Sequence, residues 1–313
     1  MLKYVVKRFL WVIPTVLGVL TLLFGLTYLL PGDPASVMLG PRATPELINE
    51  IRERLHLNDP FYFQLWYYII GAVRFDLGHS INSGFDVSRL IADALPHTVA
   101  LAISGLGIAA LIGIITGAFA ATHRSKYMDG MITLASLVAV AIPDFVAALL
   151  LMMVFCVQIP IFPALGAGEA GNIPDMAWRL VLPATALAIG WMGYLSRLTR
   201  ESMLQVLDSD YIRTARAFAA PHRFVAYKYA LKNAIIPPIT VIGLGAGKLL
   251  GGAVFIEIIF NRPGLGKLIV DAVFARDLPV VQGAILVASL LFILANLLAD
   301  ISYAVVDPRI QYD

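Results

Sequence analysis

TVALAISGLGIAALIGIITGAFAA, residues Thr98–Ala121, carries no charged side chain. Hydrocarbon offers no water to a free amide, so a crossing segment must satisfy its backbone internally as a helix of about 20 apolar residues. This stretch meets that requirement, and working outward from it five more do so. Phe9–Leu30 lies upstream. Downstream come Met131 to about Phe155, Leu180–Ser196, Pro237–Phe260 and about Val281–Val306. Leu180–Ser196 is the shortest, with Pro183 near its start and Arg197 closing it. The chain as a whole is 59% hydrophobic and only 14% charged, too apolar for a surface that faces water. The expectation is an all-α membrane protein of six transmembrane helices.

Lys3, Lys7 and Arg8 precede the first apolar run, as in a signal peptide, but that run exceeds a signal core and no A-x-A site follows, so it is expected to stay as an anchor. Six crossings return the C-terminus to the side of the N-terminus. Basic residues mark the cytoplasmic side, and Arg124, Lys126, Arg197, Arg200, Arg213, Arg216, Arg223, Lys228 and Lys232 all fall on the N-terminal side, which the charge rule therefore makes cytoplasmic. Most acids, among them Glu46, Glu50, Glu53, Asp59, Asp76, Asp86 and Asp93, fall on the other. Residues 1–30 then form the tail and first span, 31–97 a small helical cap outside, and 98–313 the core with a cytoplasmic loop at 197–236. Within the cap, Thr44-Pro45-Glu46 opens a helix through Leu57, and the aromatic run Phe61–Tyr68 opens another.

The loop contains DSDYIRTARAFAAP, Asp208–Pro221, which reads as a short helix with Asp or Ser at its cap and Pro221 at its end. Tyr211, Ala215, Phe218 and Ala219 follow i, i+4, i+7, i+8 spacing, with Arg213 and Arg216 beside them. A short helix faced with alanines suits the groove of another protein. Equally, it suits a headgroup surface with its arginines on anionic lipid. The residues alone leave both readings open.

The run Tyr211–Ala217, followed by Ala230-Leu231-Lys232-Asn233-Ala234-Ile235-Ile236-Pro237, resembles the loop by which binding-protein-dependent permeases dock on their ATPase. Further motifs arrive in that family's order: Gly32-Asp33-Pro34-Ala35, Asp76-Leu77-Gly78 with Ser80, Pro96 with Thr98, Leu250-Gly251-Gly252-Ala253, Glu257, Phe260, Pro263-Gly264-Leu265-Gly266, Arg276-Asp277, Pro279, Asp300, Tyr303 and Asp307-Pro308-Arg309. The chain is similar over almost its whole length to the dipeptide, oligopeptide, nickel and glutathione branch of these importers. The resemblance implies a type I importer bundle in the bacterial inner membrane and a paralogous permease as partner. It also implies two cytoplasmic ATPases carrying ATP and magnesium, and a binding protein outside. Tyr211, Arg213, Ala215, Arg216, Phe218 and Ala219 would then couple to the ATPase. Two positions depart from the family's pattern: Ala219 stands where it usually has glycine, and Asp144 where it tends to have a small polar residue.

Other chemistry is not supported by the residues. Gly245-Ala246-Gly247-Lys248 ends like a phosphate-binding loop, but Ile242 and Leu249 occupy the positions that need Gly and Ser or Thr, so this chain is not expected to bind ATP or to be an enzyme. The five histidines and the lone Cys156 form no metal-ligand spacing, and no basic, aromatic-laced patch suits nucleic acid. Asp144, Lys248, Glu257 and Asp300 can line a pathway, gate it or pair structurally. An ion-coupled secondary transporter using Asp144 or Asp300 is the rival class, although no inverted repeat is visible.

Overall fold

The computed structural model describes residues 2–29, 35, 44–54, 58–123, 126–218 and 221–306. Gly32, Asp33, Pro34, Ala219, Asp307 and Arg309 lie outside the described residues. In chain order the helices are α1 (Leu2–Leu29), α2 (Pro45–Arg54), α3 (Phe61–Val73), α4 (Val87–Thr122), α5 (Lys126–Ala141), α6 (Asp144–Met152, continued by a π-helical turn Met153–Gln158), α7 (Ile173–Leu207), α8 (Asp210–Ala217), α9 (Ile236–Ile259), α10 (Leu265–Phe274) and α11 (Leu278–Val306). Four of these are long and apolar enough to cross a membrane, or six when each of two bent pairs counts as one crossing.

The chain divides into two compact units, Met1–His97 with Pro263–Ile293, and Thr98–Arg262 with Leu294–Asp313. In the first unit, Val87, Ile91 and Ala94 at the start of α4 bury against Leu265 and Ala272 of α10 and Val280, Val281 and Ala284 of α11. Leu20 and Leu23 of α1 bury against Leu286, flanked by Tyr68, Ile69 and Ala72 of α3. Thr44 caps α2 as its side-chain position requires, its Oγ1 accepting from the Leu47 amide at 3.4 Å with Pro45 as the first helical residue.

In the second unit α7 is central, with α5, α6 and α9 all packed on it. Helices in hydrocarbon approach closely only where side chains are small. A Cβ added at Gly113 of α4 would lie 2.7 Å from the Leu195 Cβ, and one at Gly117 would collide with the Ser196 carbonyl. Thr116 donates to the Ser196 hydroxyl at 3.0 Å across the same seam.

Two expected boundaries are corrected. The crossing read as Leu180–Ser196 is the middle of a 35-residue helix, because Asn172 caps its start and Pro183 is accommodated inside. Lipid-buried helices tolerate an internal proline where neighbours shield the freed carbonyl. The crossing read as Met131–Phe155 is broken by 103° between Ala141 and Asp144. Pro143 drives that break by forcing Ile142 out of the helical region and lacking an amide to donate. Helix α4 runs continuously through Pro96, and the division between the two units falls after His97 within it.

Gly117→Val should lower the thermal unfolding midpoint in detergent, at a cost of about 1–3 kcal/mol for overpacking. Gly107→Val, at a position with nothing within 4 Å of the added methyl group, should leave the midpoint unchanged. Differential scanning of both variants checks the contrast.

Candidate coupling helix and pathway

Only Asp208 and Ser209 separate α7 from α8, so the short helix hangs directly on the end of the long one. Ser209 stands at the N-cap of α8, but its hydroxyl donates back to the Val206 carbonyl at 2.5 Å and so binds the corner to α7. The side chain that fixes α8 is Ile212. It is fully buried in a cluster with Ala118 and Ala121 from the end of α4, Met203 and Leu207 from the end of α7, and Val225, Ala230 and Ala234. From the following helical run at 222–234, the Asn233 amide donates to the Tyr211 hydroxyl at 2.8 Å.

Ala215, three residues after Ile212, turns partly into the same cluster. Tyr211, Arg213, Arg216 and Phe218 are exposed, Phe218 to 83%. The outward face therefore combines two aromatic rings with arginines, while Ala219 falls outside the described residues. Arg213 reaches Asp210 at 3.3 Å, but both are open to solvent and the pair adds little rigidity.

At the break before α6, Asp144 occupies the first helical position behind Pro143. Its carboxylate sits in a notch made by two absent side chains. A Cβ at Gly252 of α9 would lie 2.8 Å from Oδ2, and one at Gly190 of α7 would lie 3.6 Å from Oδ1. Beside it Phe145 and Phe255 of α9 stand 6.0 Å apart, ring centre to ring centre. Asp144 is half-buried, and so are Gly190 and Gly252 around it. Lys248 is exposed one turn before Gly252 on α9.

Glu257 is differently placed. It is fully buried and accepts from the Thr98 hydroxyl at 2.5 Å. Its charge faces buried Arg262: burial draws that guanidinium's pKa down and the Glu257 carboxylate opposes the shift. Arg262 donates to the Arg179 carbonyl at 3.4 Å, and Arg179 in turn reaches Asp175 at 3.0 Å and the Leu165 carbonyl at 2.8 Å. This polar chain ties together α4, α7, α9 and the segment before α7, at the end of α7 remote from α8.

In the first unit a second buried carboxylate does comparable work. Asp277, just before α11, accepts from the Ser80 hydroxyl at 2.5 Å and from the amides of Ile81 and Asn82 at 3.3 Å each. Gly264 caps α10 in extended backbone and Gly266 is buried in its first turn, so the Pro263–Gly266 motif opens a helix. Gly245–Lys248 lies inside α9, not in a loop. Asp300 is half-buried on α11, beside Ala299, whose Cβ lies 3.0 Å from where a Cβ on Gly243 would be.

Sequence reasoning named Asp277 only as part of the Arg276-Asp277 motif, without its capping role, and gave no role to Ile212 or Arg262. The Ile212 and Ala215 i, i+3 pair was available as a signal, but the larger rings of Tyr211 and Phe218 define a competing stripe. Asp277 ahead of Leu278-Pro279 has the spacing of a helix cap.

The model for the inner membrane component of binding-protein-dependent transport systems matches residues 113–312, and the model for the N-terminal part of such components matches residues 1–102. The chain belongs to this family. As a permease subunit of binding-protein-dependent transport, it is a membrane-embedded transport component of the inner membrane. The glutathione transport system permease protein GsiC of Escherichia coli (strain K12) is 40% identical over 312 residues, with 100% of both chains covered. A putative peptide transport system permease protein of Brucella abortus (strain 2308) is 42% identical over 315 residues, again with 100% of both covered. Among solved structures, the inward-facing MetNI methionine ABC transporter shares the fold, with a TM-score of 0.56 over 70% of this chain and 96% of that one at 14% identity. Membership of the permease family, with that fold, favours ATP-driven import over the ion-coupled rival.

Replacing Asp277 with Ala should leave the Ser80 hydroxyl and two loop amides without their acceptor, costing about 1–3 kcal/mol. Limited proteolysis should then cut faster within residues 79–84 than in the parent permease.

Proposed function

We propose that this permease imports short peptides or glutathione-like peptides as half of a heterodimeric channel. Its partners are a paralogous permease, two cytoplasmic ATPases that carry the ATP and magnesium, and a binding protein on the opposite face. The termini and α8 face the cytoplasm in this reading. The substrate class follows that of the full-length glutathione and peptide permeases it resembles. One observation carries the coupling role: α8 is held rigidly to the ends of α4 and α7 by buried Ile212, while Tyr211, Arg213, Arg216 and Phe218 are left facing outward. A helix resting on lipid would not need to be clamped so firmly to two crossings. A helix that transmits force does.

Closure of the ATPases would push on the exposed rings and arginines, and Ile212 would pass that displacement to α7. Asp144 would line the solute path, because its notch beside Gly190 and Gly252 keeps a carboxylate accessible at a break in the crossing. Glu257 would instead hold the bundle, given its bond to Thr98 and its facing charge on Arg262.

Arg213→Glu combined with Phe218→Ala should weaken ATPase co-purification and substrate-stimulated ATP hydrolysis by about tenfold or more, as expected of an interface centred on an aromatic and an arginine. Wild-type values for both quantities would refute the coupling role. Asp144→Asn should assemble and hydrolyse ATP normally but lower uptake of a peptide substrate in proteoliposomes by roughly tenfold, a loss of about 1.4 kcal/mol. Unchanged uptake would remove Asp144 from the path.

A further inference from the structure

Helix α3, FYFQLWYYIIGAV, has no charged residue in its 13 positions. Its sides are nevertheless sharply distinguished. Gln64, Leu65, Tyr68, Ile69 and Ala72 turn inward, and Tyr68, Ile69 and Ala72 pack on the cluster of Leu20, Leu23 and Leu286. On the opposite arc lie Tyr62, Phe63, Trp66, Tyr67, Ile70 and Val73, with Tyr62 exposed to 66% and Trp66 to 59%. The Gln64 side chain is on the inner face, where its amide donates to the Asp59 carbonyl at 2.7 Å. The outer face therefore offers apolar surface with only phenol hydroxyls and an indole N–H as polar groups. A contiguous patch of that kind is not stable against bulk water.

Position decides what covers it. Phe24, near the end of the apolar window Arg8–Gly25 of α1, packs in tilted ring contact with Phe61 at 5.1 Å and with Tyr68 at 5.8 Å. That contact holds α3 at the level where the first crossing leaves the hydrocarbon. At about 1.5 Å per residue, α3 is roughly 20 Å long, too short to cross a layer of roughly 30 Å. Polar residues bracket it, with Asp59 before and Arg74 and Asp76 after. Helix α1 itself leaves Leu17 and Leu22 exposed, as a lipid-facing crossing does. Trp and Tyr concentrate where acyl chains meet headgroups, since their rings are apolar and their tips are polar.

We propose that α3 is an interfacial helix lying in the membrane plane at the boundary where α1 ends, with Tyr62, Phe63, Trp66 and Tyr67 seated between phospholipid headgroups and the first acyl carbons. The lipid surface is the ligand of this face. It anchors the crossing end of α1 at a set depth and thereby braces the first unit of the permease.

The test uses the full-length permease reconstituted in phosphatidylcholine vesicles, with Trp11, Trp178 and Trp191 replaced by Phe so that Trp66 alone reports. Lipids brominated near the headgroup end of the chain should quench Trp66 about twofold more than lipids brominated near the terminal methyl, as interfacial rings require. Aqueous acrylamide should quench it far less than in the same protein unfolded in urea. Because Trp191 packs against Gly245, that variant can fail to fold. The single change Trp66→Phe in the otherwise native chain then serves, and it should remove a component quenched by the shallow brominated lipid. Overturning results are quenching by acrylamide as in the unfolded chain with no response to bromine, or shielding of Trp66 only after partner proteins are added.

Discussion

Hydrocarbon is as apolar as leucine, so helices inside it gain little by hiding leucines from one another. What holds the second unit of this permease is closeness of backbone. Gly113 and Gly117 let α4 lie against α7, and at Gly193 an added Cβ would be 2.5 Å from the Ser136 carbonyl of α5. The alanines at 184, 186 and 188 are all buried along the same helix. Larger side chains at these places would separate the rods and remove the dispersion contacts that replace the hydrophobic effect here. The placement of Asp144 depends on the same device, since its carboxylate occupies space vacated by two glycines.

Polar groups then give the two units their internal register. Asp277 gathers four donors from a single loop in the first unit, and Glu257 bonds Thr98 and faces Arg262 in the second. Each is worth more as a specifier than as a stabiliser, because an unpaired carboxylate in such surroundings is strongly unfavourable. A slipped pairing would leave one behind. That penalty selects the correct arrangement among many that satisfy apolar packing equally well.

The class of fold was legible because apolar runs of span length with at most two charges have few physical interpretations. The Thr44 cap and the Phe61 helix could be read for the same local reasons. Boundaries were harder. Arg197 looked like the end of a crossing, yet a helix has no cause to stop at an arginine when its next turns are covered by Met203 and Leu207 packing. The break at Pro143 depends on how the backbone turns, which composition does not reveal. Within the candidate site, the exposed arginines and rings of α8 were visible in its amphipathic pattern. Ile212 was not, because which of two apolar stripes faces inward is decided by Ala118, Ala121 and Val225, residues distant in the chain. Asp144 stood out as a charge in an apolar run, while the notch around it depends on glycines from two other helices.

The length of α7 has a mechanical consequence. Its 35 residues extend about 50 Å, some 20 Å more than the hydrocarbon is thick. In the proposed importer the surplus would carry α8 clear of the acyl chains, so an engine grasping it would not have to displace lipid. Tilting such a rod by about 5° as one piece swings its tip through roughly 4 Å, most of the 5.4 Å pitch of a helix. A modest rocking at one end can thus become, at the other, a shift comparable to one turn of helix.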